Sequence, residues 1–77
     1  MDYSNWIKRA NDACDLLDKN SEFFLKDLFK GTEWKSLSVG ERLSLGRCFK
    51  NEVLEKRIPN ITYIGKAKNN SAMYQKI

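Results

Sequence analysis

The sequence predicts a mainly α-helical single domain closed by a C-terminal β-hairpin. Three observations predict it. Apolar residues recur at helical spacing over residues 4–19 and again over 39–57. The tetrad Ser38-Val39-Gly40-Glu41, with serine three residues before glutamate, opens the second run as a capping box. Residues 61–77, ITYIGKAKNNSAMYQKI, read as two extended runs around Asn69-Asn70 and hold no acidic residue.

Each element has its own local signal. Ser4 is a good N-cap for the first helix. Trp6, Ile7, Ala10, Cys14 and Leu17 form its apolar face, with Ala13 and Leu16 at the margins. Asp12, Asp15, Asp18 and Lys19 belong to its solvated face, and Asn20-Ser21 ends it. The segment SEFFLKDLFKG has two readings. Phe24-Leu25 is extended and a short helix follows over 26–29, or Ser21 caps one helix running to Phe29. Gly31 stops either version as a C′ glycine. Thr32 or Glu33 then opens a helical turn that points Trp34 and Leu37 inward.

The long helix is expected over 39–57, because Pro59 disfavours the α conformation in the residue before it. On a wheel, Val39, Leu43, Gly46, Phe49 and Val53 form an apolar arc, edged by Leu45 and Leu54. Gly46 inside that arc predicts close approach of another backbone, since a helical glycine costs about 1 kcal/mol relative to alanine. In the hairpin, a two-residue Asn69-Asn70 turn pairs Lys68 with Ser71, Lys66 with Met73 and Ile64 with Gln75, with Gly65 opposite Tyr74. The domain plan is therefore an N-terminal helix in 1–20, a helical core over 21–57 and a hairpin over 61–77.

Charge is unevenly placed. Residues 1–30 carry five Lys/Arg against six Asp/Glu, whereas residues 31–77 carry nine against four. After Glu55 come Lys56, Arg57, Lys66, Lys68 and Lys76 with no acid. That asymmetry points the C-terminal half toward a polyanion. Cys14 and Cys48 lack metal-ligand spacing and no histidine joins them. They are expected as reduced, partly buried thiols, with one helix-to-helix disulfide as the alternative. No metal or other cofactor is expected. There is no run of 18 apolar residues, and MDYSNWIKRA lacks the basic-then-apolar pattern of a signal peptide. A cytoplasmic protein with no membrane contact is the expectation. Catalysis is not expected. The usual neutral-pH base, histidine, is absent, and Gly31, Gly40, Gly46 and Gly65 have no phosphate-cradling spacing.

The polar strip of the long helix is Ser44, Arg47, Cys48, Asn51 and Glu55. Arginine can grip guanine O6 and N7, asparagine can grip adenine N6 and N7, and serine is a short general contact. Any amphipathic helix has a polar face, so the strip alone is weak. A helix pair followed by a basic hairpin is, however, the winged helix-turn-helix arrangement. Lys66, Lys68, Asn69, Asn70 and Ser71 then form the wing tip, with Lys56 and Arg57 nearby. Lysines there suit phosphate, although lysine also protects sheet edges from aggregation. The expected partner is double-stranded DNA. The site residues are Ser44, Arg47 and Asn51 toward bases, and Lys56, Arg57, Lys66, Lys68, Asn69 and Asn70 toward phosphate. The alternative is a protein-interaction module or homodimer on the same fold, docking through Asp12, Asp15 and Asp18.

The segments LKDLFKG (25–31), Trp34 with Leu37, GERLSLGRCFKNEV (40–53), IGK (64–66) and YQKI (74–77) carry a resemblance. Over residues 23–77 the chain resembles a small uncharacterised family of single-domain bacterial and phage proteins. The shared pattern is LF-G-x-x-W, then R-x-x-LG-x-x-F, then an I-x-x-IGK…Y hairpin. The family carries no established activity. Its layout is similar to winged helix-turn-helix domains, which generally bind DNA and in some cases bind only protein. The resemblance implies helix 39–57 as the recognition helix, 61–77 as the wing, and a regulator or accessory protein of a phage or mobile element.

Overall fold

The computed structural model describes residues 3–68 and 71–77. Helix α1 spans Ser4–Cys14 and strand β1 Glu22–Phe24, followed by a 3-10 turn over Leu25–Leu28. Helices α2 (Gly31–Lys35) and α3 (Val39–Leu54) lead to strands β2 (Ile61–Lys66) and β3 (Ala72–Lys76). The three strands form one antiparallel sheet in the order β1-β3-β2, so the last strand is central. This is the first reading of SEFFLKDLFKG in kind, with the strand at Glu22–Phe24 rather than Phe24-Leu25 and the helical turn starting one residue earlier. Phe23 pairs with Tyr74 across the sheet, and a two-stranded ribbon alone would be marginal in water.

Helix α1 begins one residue earlier than expected, at Ser4. Tyr3 takes the N-cap position, its carbonyl accepting from the Ile7 N–H at 2.9 Å, and Ser4 is already helical. It also ends at Cys14 rather than near Lys19. The Leu17 N–H donates to the Cys14 carbonyl at 3.1 Å, and Lys76 Nζ donates to the same oxygen at 2.8 Å. A cation on the last carbonyls suits the helix dipole. Asn20, at φ 73°, then turns the chain so that its N–H meets the Lys76 carbonyl at 2.7 Å. The sheet therefore claims residues that helical periodicity alone would extend.

Gly31 opens α2 rather than stopping what precedes it, and Lys30 occupies the N-cap. The capping box of α3 is formed as the sequence predicts. The Glu41 N–H donates to Ser38 Oγ at 3.1 Å, and the Ser38 N–H donates to Glu41 Oε1 at 3.0 Å. The Ser38 backbone N–H, first, and then the Ser38 hydroxyl hold the Glu41 carboxyl below its ordinary range. The far end of α3 falls at Leu54, three residues short of the expected Arg57. Lys56 sits at φ 60°, its N–H bonding the Val53 carbonyl, and the Arg57 N–H reaches back to the Glu52 carbonyl at 2.9 Å. This is a Schellman ending with lysine in the position glycine usually fills, so the usual stop signal is missing from the sequence.

The core joins every layer. Ala10 and Cys14 come from α1, Leu45, Phe49 and Val53 from α3, and Phe23, Ile61 and Tyr74 from the sheet. Phe49 meets Tyr74 edge-on, centroids 4.9 Å apart. A second aromatic cluster ties α1 to α2. Trp6 packs on Phe29 at 5.1 Å, Phe29 stacks on Trp34 at 6.2 Å, and Arg9 lies over Trp6 while pairing with Glu33.

The hairpin register differs from expectation by one residue at its tip. Lys66 pairs with Ala72 and Gly65 with Met73, while Tyr63 pairs with Tyr74. The Ala67 N–H donates to the Ser71 carbonyl at 2.9 Å, so Ser71 is met by Ala67 where Lys68 was expected. Asn69 and Asn70, where the turn was expected, lie outside the described residues. Ile64 is the extra residue of a β-bulge, and Gly65 beside it has φ +116°, a conformation that excludes most side chains.

Gly46 is not explained by close packing, because a Cβ built there meets nothing within 4 Å. Gly46→Ala is therefore expected to raise stability by about 1 kcal/mol, and Gly65→Ala to lower it by at least about 1 kcal/mol. Urea midpoints measure both. Ser38→Ala should cost about 1 kcal/mol at neutral pH. Because the folded Glu41 pKa is lowered, the box stabilises above the ordinary carboxylate pKa and fades as pH falls through the lowered value. The difference between wild type and Ser38→Ala should shrink accordingly in acid.

Candidate nucleic-acid interface

Helix α3 turns Leu45, Phe49 and Val53 into the core, so its opposite side presents Gly40, Arg47 and Asn51 to solvent. The buried stripe is rotated by roughly 60° from the expected arc, at 100° per residue. Val39 and Leu43, expected inside, are 69% and 60% exposed. The reason lies in the sheet. Tyr74 and Ile61 meet the helix along the Leu45–Phe49–Val53 line, and residues apolar by type but off that line are left outside.

Between α3 and the hairpin runs a groove of about 470 Å³. Five cations border it: Lys26, Arg42, Arg47, Lys50 and Lys66. No carboxylate is found among the described residues that line it. Its apolar wall includes Phe24, Trp34, Val39, Leu43 and Ala72, and Gly46 lies in its flank. Three of the cations lie over aromatic faces. Lys50 Nζ lies 4.5 Å from the Tyr63 ring centroid, Lys26 Nζ 5.7 Å from Phe24, and the Arg42 guanidinium 6.0 Å from Trp34. Arg42 is further fixed by its Nε donating to the Trp34 carbonyl at 3.1 Å. These contacts orient long side chains before a ligand arrives.

The residues expected to bind nucleic acid are dispersed in three places. Arg47 and Lys66 face the same groove across its width. Asn51 is exposed one turn beyond Arg47, Ser44 is half-buried on the same helix, and Lys68 is exposed at the hairpin end. Lys56 and Arg57 sit beyond the end of α3 and away from the groove. Lys56 borders a separate depression with Pro59 and Ile77, while Arg57 pairs with Glu52 on the α1 side. Asn69 and Asn70 are outside the described residues. Lys76 is turned inward onto the α1 carboxyl end.

Lys26, Arg42 and Lys50 were not expected in this cluster. Lys50 had a signal, being one turn from Gly46 and three residues from Arg47. Placing the apolar arc 60° too far round assigned that face to the core. Arg42, on α3 like Lys50, falls in the same misplaced arc, and Lys26 comes from the 3-10 turn, whose placement beside α3 no local pattern encodes. The chain carries two thiols, Cys14 and Cys48. Both are free; Cys14 is buried and Cys48 exposed rather than partly buried. Among the described residues no group of His, Cys, Asp and Glu could hold a metal ion, and no helix is long and apolar enough to cross a membrane.

The chain belongs to a family defined by a domain of unknown function, DUF1413, whose model matches residues 8–76. The match takes in most of α1 as well as the resembling segment 23–77. No curated protein and no solved structure matches the chain.

Burial pushes the Cys14 thiol up to about 11. Native protein at pH 7 to 8 should therefore release one equivalent of chromophore from an aromatic disulfide reagent, through Cys48. Unfolded protein should release two. Replacing Cys48 by serine should abolish the native reaction and leave Cys14 reactive only in denaturant.

Proposed function

We propose that this DUF1413 protein binds double-stranded DNA through α3 and the β2–β3 hairpin, as a winged helix. The observation that carries the reading is the groove between those two elements, with five cations and no carboxylate among its described lining residues. Two further features support it. The order α1–β1–α2–α3–β2–β3, with β1 on β3, is the order of a winged helix-turn-helix domain. The glutamates of the helix and its end, which would repel phosphate, are absent from the groove lining: Glu41 is engaged with Ser38, Glu52 with Arg57, and Glu55 caps the far end.

In this reading α3 enters the major groove, which is about 12 Å wide and admits a helix. Arg47 and Asn51 reach base edges, and Lys50, Lys66 and Lys68 neutralise phosphates. A second reading, docking of a protein partner, draws on Leu16, which is 86% exposed beside Asp12, Asp15 and Asp18.

Fluorescence anisotropy of a labelled random-sequence duplex, at two salt concentrations, tests the proposal. Binding should weaken steeply as salt rises. Lys66→Ala with Lys68→Ala should weaken all sequences alike and lower the salt slope by about 2. Lys19→Ala, on the turn after α1, should change neither. Absence of duplex binding at low salt would contradict the proposal and turn attention to the acidic end of α1.

A further inference from the structure

Val39 and Leu43 need an explanation that the fold does not provide. Both are large, apolar and more than half exposed, and both line the cationic groove rather than a neutral surface. Phosphates offer nothing apolar for them to cover, and the sugars only C–H edges along the backbone that are the same for every sequence. The bases do: in the major groove the one apolar group is the C5-methyl of thymine. We propose that Val39 and Leu43 read thymine methyl groups beside the base that Arg47 grips. This rests on the duplex-DNA reading above and names its sequence preference.

Helix geometry sets the spacing. Leu43 precedes Arg47 by about 6 Å along the axis, and base pairs are stacked about 3.4 Å apart. A guanine held by Arg47 and a thymine covered by Leu43 therefore lie within two base-pair steps. Val39 extends the same line by one more turn toward the N-terminus of α3. Gly46 fits between them. It faces the groove, and a Cβ there would meet no protein atom. Its missing side chain keeps the helix surface low beside Leu43 and Lys50, where a base edge has to approach. The charge around the pair favours DNA over an apolar protein surface, because Arg47, Lys50 and Lys66 share the groove with them.

The test uses a duplex enriched from a random pool by the wild-type protein. It is then resynthesised with deoxyuridine at every thymidine, which removes the methyls and keeps every hydrogen-bonding group. Wild type should bind the uracil duplex about fourfold more weakly for each methyl contacted. The double variant Val39→Ser/Leu43→Ser, its folding checked by circular dichroism, should bind both duplexes equally. Equal wild-type affinity for the two duplexes, with salt-sensitive binding retained, overturns this inference and leaves the duplex reading standing. A pool that stays random through selection overturns it in the same way. No duplex binding at low salt overturns both.

Discussion

The edge-on contact between Phe49 and Tyr74 is the point on which the structure turns. Tyr74 is 1% exposed on the central strand, and Phe49 is fully buried at the middle of α3. Phe23 from β1 stacks on Tyr74 from one side at 5.9 Å, and Tyr63 from β2 approaches from the other at 5.8 Å. One aromatic side chain thus ties all three strands to the long helix. Burial pushes its phenol well above the ordinary range, so the group stays neutral there. In a chain of 77 residues a single core is small and net stability is a few kcal/mol. Removing the Phe49 or Tyr74 ring would remove a large part of it.

That contact also fixes what α3 shows to solvent. Once Leu45, Phe49 and Val53 are turned toward the sheet, Arg47 has to point away, and Val39 and Leu43 come to lie along the hairpin. Core packing and the cationic groove are two sides of one helix rotation. The bulge at Ile64 and the positive φ of Gly65 then bend β2 where Lys66 meets the groove. Lys76, at the other end of the hairpin, serves the fold by bonding the Cys14 carbonyl.

Local chemistry was legible in the sequence where the partners are close in the chain. The Ser38–Glu41 box, the strand character of Ile61–Lys66 and the inward Leu37 all follow from short-range rules. The ends of α1 and α3 did not. Cys14 ends its helix because of Lys76, sixty-two residues later, and α3 ends on a lysine with positive φ. The third strand was only one of two readings of SEFFLKDLFKG, expected at Phe24-Leu25 and found at Glu22–Phe24, since its partner lies at the far end of the chain. For the site, Arg47, Asn51 and Lys66 could be nominated by residue type and spacing. Lys26 could not, and Arg42 and Lys50 lie on the side of α3 that the wheel gives to the core. Their meeting depends on the angle at which the sheet receives α3, and hydrophobicity summed around a wheel misplaced it because Val39 and Leu43 are apolar without being buried.

The central claim is that α3 and the hairpin form one nucleic-acid surface. Its most direct test is an amide NMR titration of uniformly labelled protein with a short duplex at low salt. The shifted resonances should cluster at residues 39–51 of α3 and 64–73 of the hairpin, with α1 little changed. Shifts confined to α1, or none at millimolar duplex, would contradict it.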